Sequence, residues 1–204
     1  MKQTDKQLAR EGRILAYQAS ILSTFRRATA EQISDGKTWY PRVQSQIRDI
    51  LAQYKLFDGK YAYQSFSALS PRVTFAENLK AFKAYARAVS HGSRVMPTSG
   101  IAGVTSNREK AWGFISDSVS RDEWIDCKSA PKTCRFADNL QGDYSRVTID
   151  VWAAKAAGVK GSPNLRGSRY DELEEAYQRV ARITGFEPAE LQAITWIVER
   201  GKEN

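Results

Sequence analysis

Apolar side chains recur every three to four residues along most of the chain, the spacing of one face of an α-helix. Leu8, Ile14, Leu15, Ala19, Leu22 and Phe25 outline a first helix, and Ser34-Asp35-Gly36 reads as its end. Pro41 suits a first helical turn. It reads as the start of a second helix through Val43, Ile47, Ile50, Leu51 and Tyr54, stopped at Phe57-Asp58-Gly59. Tyr61 to Leu69 is apolar and aromatic, the pattern of a buried helix, and ends at Ser70-Pro71. Thr74 or one of its neighbours opens the next helix, through Phe75, Leu79, Phe82, Tyr85 and Val89, and His91-Gly92 closes it. After a Pro/Gly loop at 96–103, Ser106-x-x-Glu109 has the form of a capping box ahead of Ala111, Phe114, Ile115 and Val119. Trp124 to Lys132 reads as short and irregular, and Thr133 to Leu140 as helical. Gln141-Gly142-Asp143 turns, and Val147-Thr148-Ile149 leads into a helix near Asp150. Gly158 to Ser168 is a polar linker before two closing helices, Tyr170 to about Thr184 and Pro188 to Gly201. Strand-like alternation does not persist anywhere, so the expectation is an all-α chain of about ten helices.

Composition narrows the chemistry. With 204 residues, 42% hydrophobic and 26% charged, the chain has enough apolar surface for one large domain or two small ones. Two cysteines, Cys127 and Cys134, and one histidine, His91, exclude a disulfide framework, a four-cysteine metal site and multi-histidine sites. Both cysteines are expected as free thiols, and neither metal nor cofactor is expected. The balance of 31 Lys+Arg against 23 Asp+Glu leaves +8, which favours a polyanionic partner, the plain alternative being a solvated basic surface. Apolar runs are too short for a membrane span, and the opening MKQTDKQLAREGR lacks the apolar core of a signal peptide. A cytosolic protein is therefore expected.

The stretch Pro131–Gly158, PKTCRFADNLQGDYSRVTIDVWAAKAAG, resembles the helix-hairpin-helix DNA glycosylases of the endonuclease III type. Lys132-Thr133 stands where that family opens a helix after its hairpin. Val147-Thr148-Ile149-Asp150 with Trp152 stands where it places an aspartate at the next helix start, at the family's spacing from Lys132. Tyr63–Ser70 resembles the buried helix that delivers a DNA-inserting wedge, with Arg72 in the wedge position. Gly103-Val104-Thr105-Ser106 and Lys110-Ala111 resemble the start of the helix before the hairpin. Two departures stand out. The hairpin reads Lys128-Ser129-Ala130-Pro131-Lys132 instead of Leu-Pro-Gly-x-Gly, and the cysteines of the family's C-terminal iron–sulfur cluster are missing.

The resemblance implies two helical lobes with a DNA-binding cleft between them, one of residues 53–144 and one of 1–52 plus 145–204. It implies a monomer that excises a damaged or modified base from double-stranded DNA. Asp150 would stabilise the cation that develops on the sugar or activate water, and Lys132 would supply an amine for a lyase step. Arg72 would fill the gap left by a flipped base. Ser70, Thr133, Arg135, Lys160, Arg166 and Arg169 are the candidate DNA contacts, and Trp39, Tyr40 and Trp152 the candidate base pocket. Each residue also has a plain reading: Asp150 as an N-cap, Lys132 as a surface or phosphate-contacting lysine, Arg72 as a salt-bridged arginine following a helix, Trp39 and Tyr40 as core, and 160–169 as a solvated loop. The alternative function is a basic DNA-binding protein without catalysis, and a third is a helical interaction protein.

Overall fold

The structure, a computed structural model, describes residues 3–57, 60–116, 127–161 and 165–201. Its helices are α1 (Gln3–Arg26), α2 (Ala30–Gln53), α3 (Lys60–Leu69), α4 (Phe75–Ser90), α5 (Thr105–Ile115), α6 (Pro131–Leu140), α7 (Val151–Ala156), α8 (Ser168–Thr184) and α9 (Pro188–Arg200). Among the described residues no strand accompanies them, and the chain is all-α. No described helix is long and apolar enough to cross a membrane. The chain divides into two compact units: unit 1, residues 1–40 with 142–204, and unit 2, residues 41–141.

Unit 1 is built on α1, which packs on α8 and α9, while α7 packs on α9. Ile14 and Ile21 of α1 meet Tyr170, Leu173, Tyr177 and Val180 of α8 in one buried cluster. Arginine–glutamate pairs close the α1–α8 seam. Arg13 grips Glu172 through both Nε (2.9 Å) and Nη2 (2.7 Å). Arg10 pairs with Glu175, and Arg179 holds both Glu11 and Glu175. The hydrogen bond from Arg13 keeps the Glu172 carboxyl below the usual carboxylate range, and those from Arg10 and Arg179 do the same for Glu175 and Glu11.

The expected break at Ser34-Asp35-Gly36 and the expected helix start at Pro41 are both corrected: α2 runs through all of them. The break lies at 27–29, where Thr29 and Gln32 form a reciprocal pair. The Thr29 N–H donates to Gln32 Oε1 (2.9 Å), and the Gln32 N–H donates to Thr29 Oγ1 (3.2 Å). Gly36 is a packing residue. A Cβ there would lie 2.4 Å from Ile194 Cγ1 and 2.7 Å from Ile194 Cα, so only glycine lets α9 approach this closely.

Unit 2 is centred on α3, which packs on α4, α5 and α6. Phe66 is fully buried, with ring centroids 6.0, 5.7 and 6.2 Å from Phe75, Phe82 and Phe136. Buried serines on α3 bond to the neighbouring helices: Ser65 Oγ donates to Ala111 O (2.7 Å) and Ser67 Oγ to Thr133 O (2.6 Å). Helix α4 starts in the expected neighbourhood, and Thr74 is its N-cap, in a capping box with Glu77. The capping box expected at Ser106 does not form. Val104 is the N-cap of α5, and Arg108 folds back instead, donating to Ile101 O and Thr105 Oγ1, each at 3.1 Å. The expected continuation to Val119, and Trp124, lie outside the described residues.

Cys127 and Cys134 form a disulfide, which overturns the expectation of free thiols. Pro131 starts α6, and the turn at 127–129 folds back over its first turn. The two Cα atoms are 5.4 Å apart, a separation a disulfide spans.

Candidate functional site

In unit 1 the backbone that enters α7 is pinned residue by residue. The Val147 N–H donates to Glu174 Oε1 (3.0 Å), and the Ile149 N–H donates to the Tyr170 hydroxyl (3.0 Å). That hydroxyl in turn donates to Val147 O (2.8 Å). Val147, Thr148 and Ile149 are all buried, so the chain reaches Asp150 with little freedom. The Asp150 side chain caps α7, its Oδ1 accepting from the N–H groups of Trp152 (3.0 Å) and Ala153 (2.8 Å). Its Oδ2 accepts from the indole Nε1 of Trp196 on α9, at 3.0 Å. Three N–H donors therefore fix the orientation of one half-buried carboxylate.

Aromatic rings continue from Trp196, the side-chain donor to this group. Trp39 lies edge-on to Tyr40 (4.8 Å) and 6.2 Å from Trp196, and Tyr40 lies 6.1 Å from Tyr144. Tyr40 is 3% exposed and donates its hydroxyl to Gln192 Oε1 at 2.9 Å. Burial pushes the phenols of Tyr40 and Tyr177 far above the ordinary tyrosine range. Hydrogen bonds with Thr148 and Thr195 oppose this, and the charge of Asp150 adds to it for both. Both tyrosines therefore stay protonated. Tyr177 donates to Ala153 O (2.9 Å), which secures the first turn of α7 from its other side. Cations cover faces of the two tryptophans next to the carboxylate: Lys155 lies 5.2 Å from the Trp152 ring and Arg200 4.6 Å from the Trp196 ring. Lys155 also pairs with Glu199 at 3.2 Å, beside the Glu199–Arg27 pair.

The structure thus brings three of the sequence candidates, Asp150, Trp39 and Tyr40, into one neighbourhood, with Trp152 two residues along the chain from Asp150. Tyr40 serves there as a buried, hydrogen-bonded core residue, and Trp39 and Trp152 are half-buried. Sequence reasoning missed Trp196. A partner 46 residues away from Asp150 leaves no local signature in the chain. Lys160, Arg166 and Arg169 are exposed in the segment ahead of α8 and at its first turn.

Unit 2 holds the remaining candidates. Lys132 is half-buried in the first turn of α6, directly after Pro131. The Thr133 carbonyl is occupied by Ser67, and Arg135 pairs with Asp138 at 3.5 Å. The Ser70 hydroxyl donates to Ser67 O (2.8 Å), closing the last turn of α3. Arg72 is exposed and has φ 64, a left-handed conformation that a residue with a Cβ adopts only against strain. Among the described residues, no group of three or more His, Cys, Asp and Glu is placed to hold a metal ion.

Comparison with known proteins adds a family and no function. Neither a curated protein nor a solved structure matches the chain. A family model matches residues 3–203, nearly the whole sequence, and on that extent the chain belongs to the family of unknown function DUF7178.

Proposed function

We infer that the chain is a DNA glycosylase that flips a damaged or modified base out of duplex DNA and cleaves its N-glycosidic bond. The observation that supports this most is the Asp150 carboxylate, oriented by two backbone N–H groups and the Trp196 indole among aromatic rings. As the bond from sugar to base breaks, the base leaves with the bonding pair and positive charge builds on the sugar. A carboxylate already oriented stabilises that charge without reorganisation. The same group accepts a proton from the water that attacks the sugar carbon. The pinned backbone at 147–149 supports this role, because a rigid approach keeps the carboxylate in place. Flipping a base costs a few kcal/mol. The exposed, strained Arg72 is the side chain assigned to fill the gap. By resemblance, the Lys132 amine attacks the sugar in a bifunctional variant of the reaction, forming an imine that leads to strand cleavage by β-elimination.

The test is a mass-spectrometric screen of bases released from duplexes carrying oxidised, deaminated, alkylated or otherwise modified bases. Asp150→Asn, which keeps a capping oxygen, is expected to bind DNA and lose at least 10²–10³-fold in release rate. Trp196→Phe keeps the ring and removes the donor, and release should fall on the order of tenfold. Undiminished release by Asp150→Asn, or no release from any substrate by the native chain, overturns the reading. A borohydride-trapped DNA adduct that disappears in Lys132→Ala tests the lyase step separately.

One observation favours a second reading, a DNA-binding protein without catalysis. Both Asp150 oxygens are occupied by donors within unit 1, which is how a purely structural cap looks. Salt-dependent duplex binding with no base release selects it.

A further inference from the structure

Helix α4 has two faces with separate roles. Asn78, Ala81, Phe82, Tyr85 and Ala86 are buried in unit 2. Lys80, Lys83 and Arg87 are exposed. At about 100° per residue these three fall within a sector of roughly 60° and extend over about 10 Å of helix axis. The helix has a single acid, Glu77, whose carboxylate is turned back on Thr74 in the capping box. None of the three cations forms an ion pair with a described residue. The exposed Arg94 follows shortly after the helix.

The kind of partner follows from what this face contains and lacks. No large apolar side chain of α4 is fully exposed: Phe82 and Tyr85 are buried in the core, and Phe75, Leu79 and Val89 are half-buried. A helix that lies in a lipid interface needs an apolar face to insert. A protein interface needs buried aromatic or aliphatic anchors. A row of flexible cations without anchors suits a regular array of phosphates, where affinity comes from counterion release and carries no base information. Unit 2 also carries most of the charge excess, with 15 Lys and Arg against 9 Asp and Glu.

We propose that Lys80, Lys83 and Arg87 on α4 form a face that grips the phosphate backbone of duplex DNA independently of base sequence. The inference rests on the duplex-binding half of the preceding reading and does not need excision.

The experiment is fluorescence anisotropy with a labelled duplex of about 20 base pairs, titrated between about 50 and 200 mM salt. The triple variant Lys80→Gln, Lys83→Gln, Arg87→Gln should keep the native circular dichroism. Its slope of log K against log salt should be shallower by about 2.7, at about 0.9 for each phosphate that is no longer neutralised. A charge-matched control, Lys6→Gln, Arg26→Gln, Arg182→Gln, all exposed in unit 1, should keep the native slope. An unchanged slope in the α4 variant, or an equal drop in the control, overturns the proposal. So does binding to phosphatidylserine vesicles that needs the three cations while duplex binding does not. Absence of duplex binding by the native chain overturns both this proposal and the glycosylase reading. A slope that depends on the three cations, with no base release, removes excision alone.

Discussion

Unit 1 carries 16 Lys and Arg against 14 Asp and Glu, and unit 2 carries 15 against 9, so the balances are +2 and +6. The units also use charge differently. In unit 1, Arg10, Arg13, Arg27 and Arg179 are committed to glutamates that join α1 to α8 and α9. In unit 2 the helices meet through phenylalanines and buried serines, a disulfide ties the start of α6, and the cations of α4 stay in solvent. A net charge of +8 read over the whole chain hides this. In unit 1 a set of arginines joins helices through glutamates, whereas Lys80, Lys83 and Arg87 on α4 of unit 2 form no ion pair with a described residue.

The sharpest way to break that contrast is to cut the aromatic centre of unit 2. Phe66→Ala should cost about 3–5 kcal/mol, because a fully buried ring leaves a cavity among three others. Hydrogen exchange should show the loss of protection in α3, α4 and α6, and an equal loss in α8 would break the contrast. Replacing Cys127 and Cys134 together by serine should cost roughly 2–3 kcal/mol, the entropy of so short a loop. Denaturant titration read on unit 2 measures it, and no change would mean that packing alone holds the start of α6.

Acidification should give the smallest and most selective effect. Glu11, Glu172, Glu175 and Glu199 of unit 1 are held below their ordinary values, against Glu77 in unit 2. For Glu199, burial pushes upward and is outweighed by Lys155 and Arg27. A carboxyl lowered on folding adds stability above its unfolded pKa of 4.5, and that stability is lost as pH falls through the lowered value. Protection in α1 and α8 should therefore fall more than in α3 and α4 between about pH 6 and about pH 3.5. Equal losses in both would mean that the seam pairs add nothing.

Most helices were legible because their apolar spacing is local. The buried run Tyr61–Leu69 became α3, Thr74 capped α4, and Val147-Thr148-Ile149 led to Asp150 as the cap of α7. The course of α2 was misread because Gly36 and Pro41 are local breakers by propensity, whereas Gly36 answers to a distant backbone, that of Ile194. The start of α2 does have a local signal: Thr29-Ala30-Glu31-Gln32 has the form of a capping box. The disulfide depends on how a turn folds over α6, which the spacing of the two cysteines does not encode.

Sequence alone determined that this chain is helical, that Asp150 stands at a helix start after a buried approach, and that the chain carries a surplus of cations. Periodicity, capping and net charge are properties of neighbours along the chain. Only the tertiary structure decided that Trp196 holds the second oxygen of Asp150, that Gly36 makes room for α9, and that the arginines of the α1–α8 seam are paired while the cations of α4 are not. Those facts depend on which helix faces meet, and long-range packing sets them.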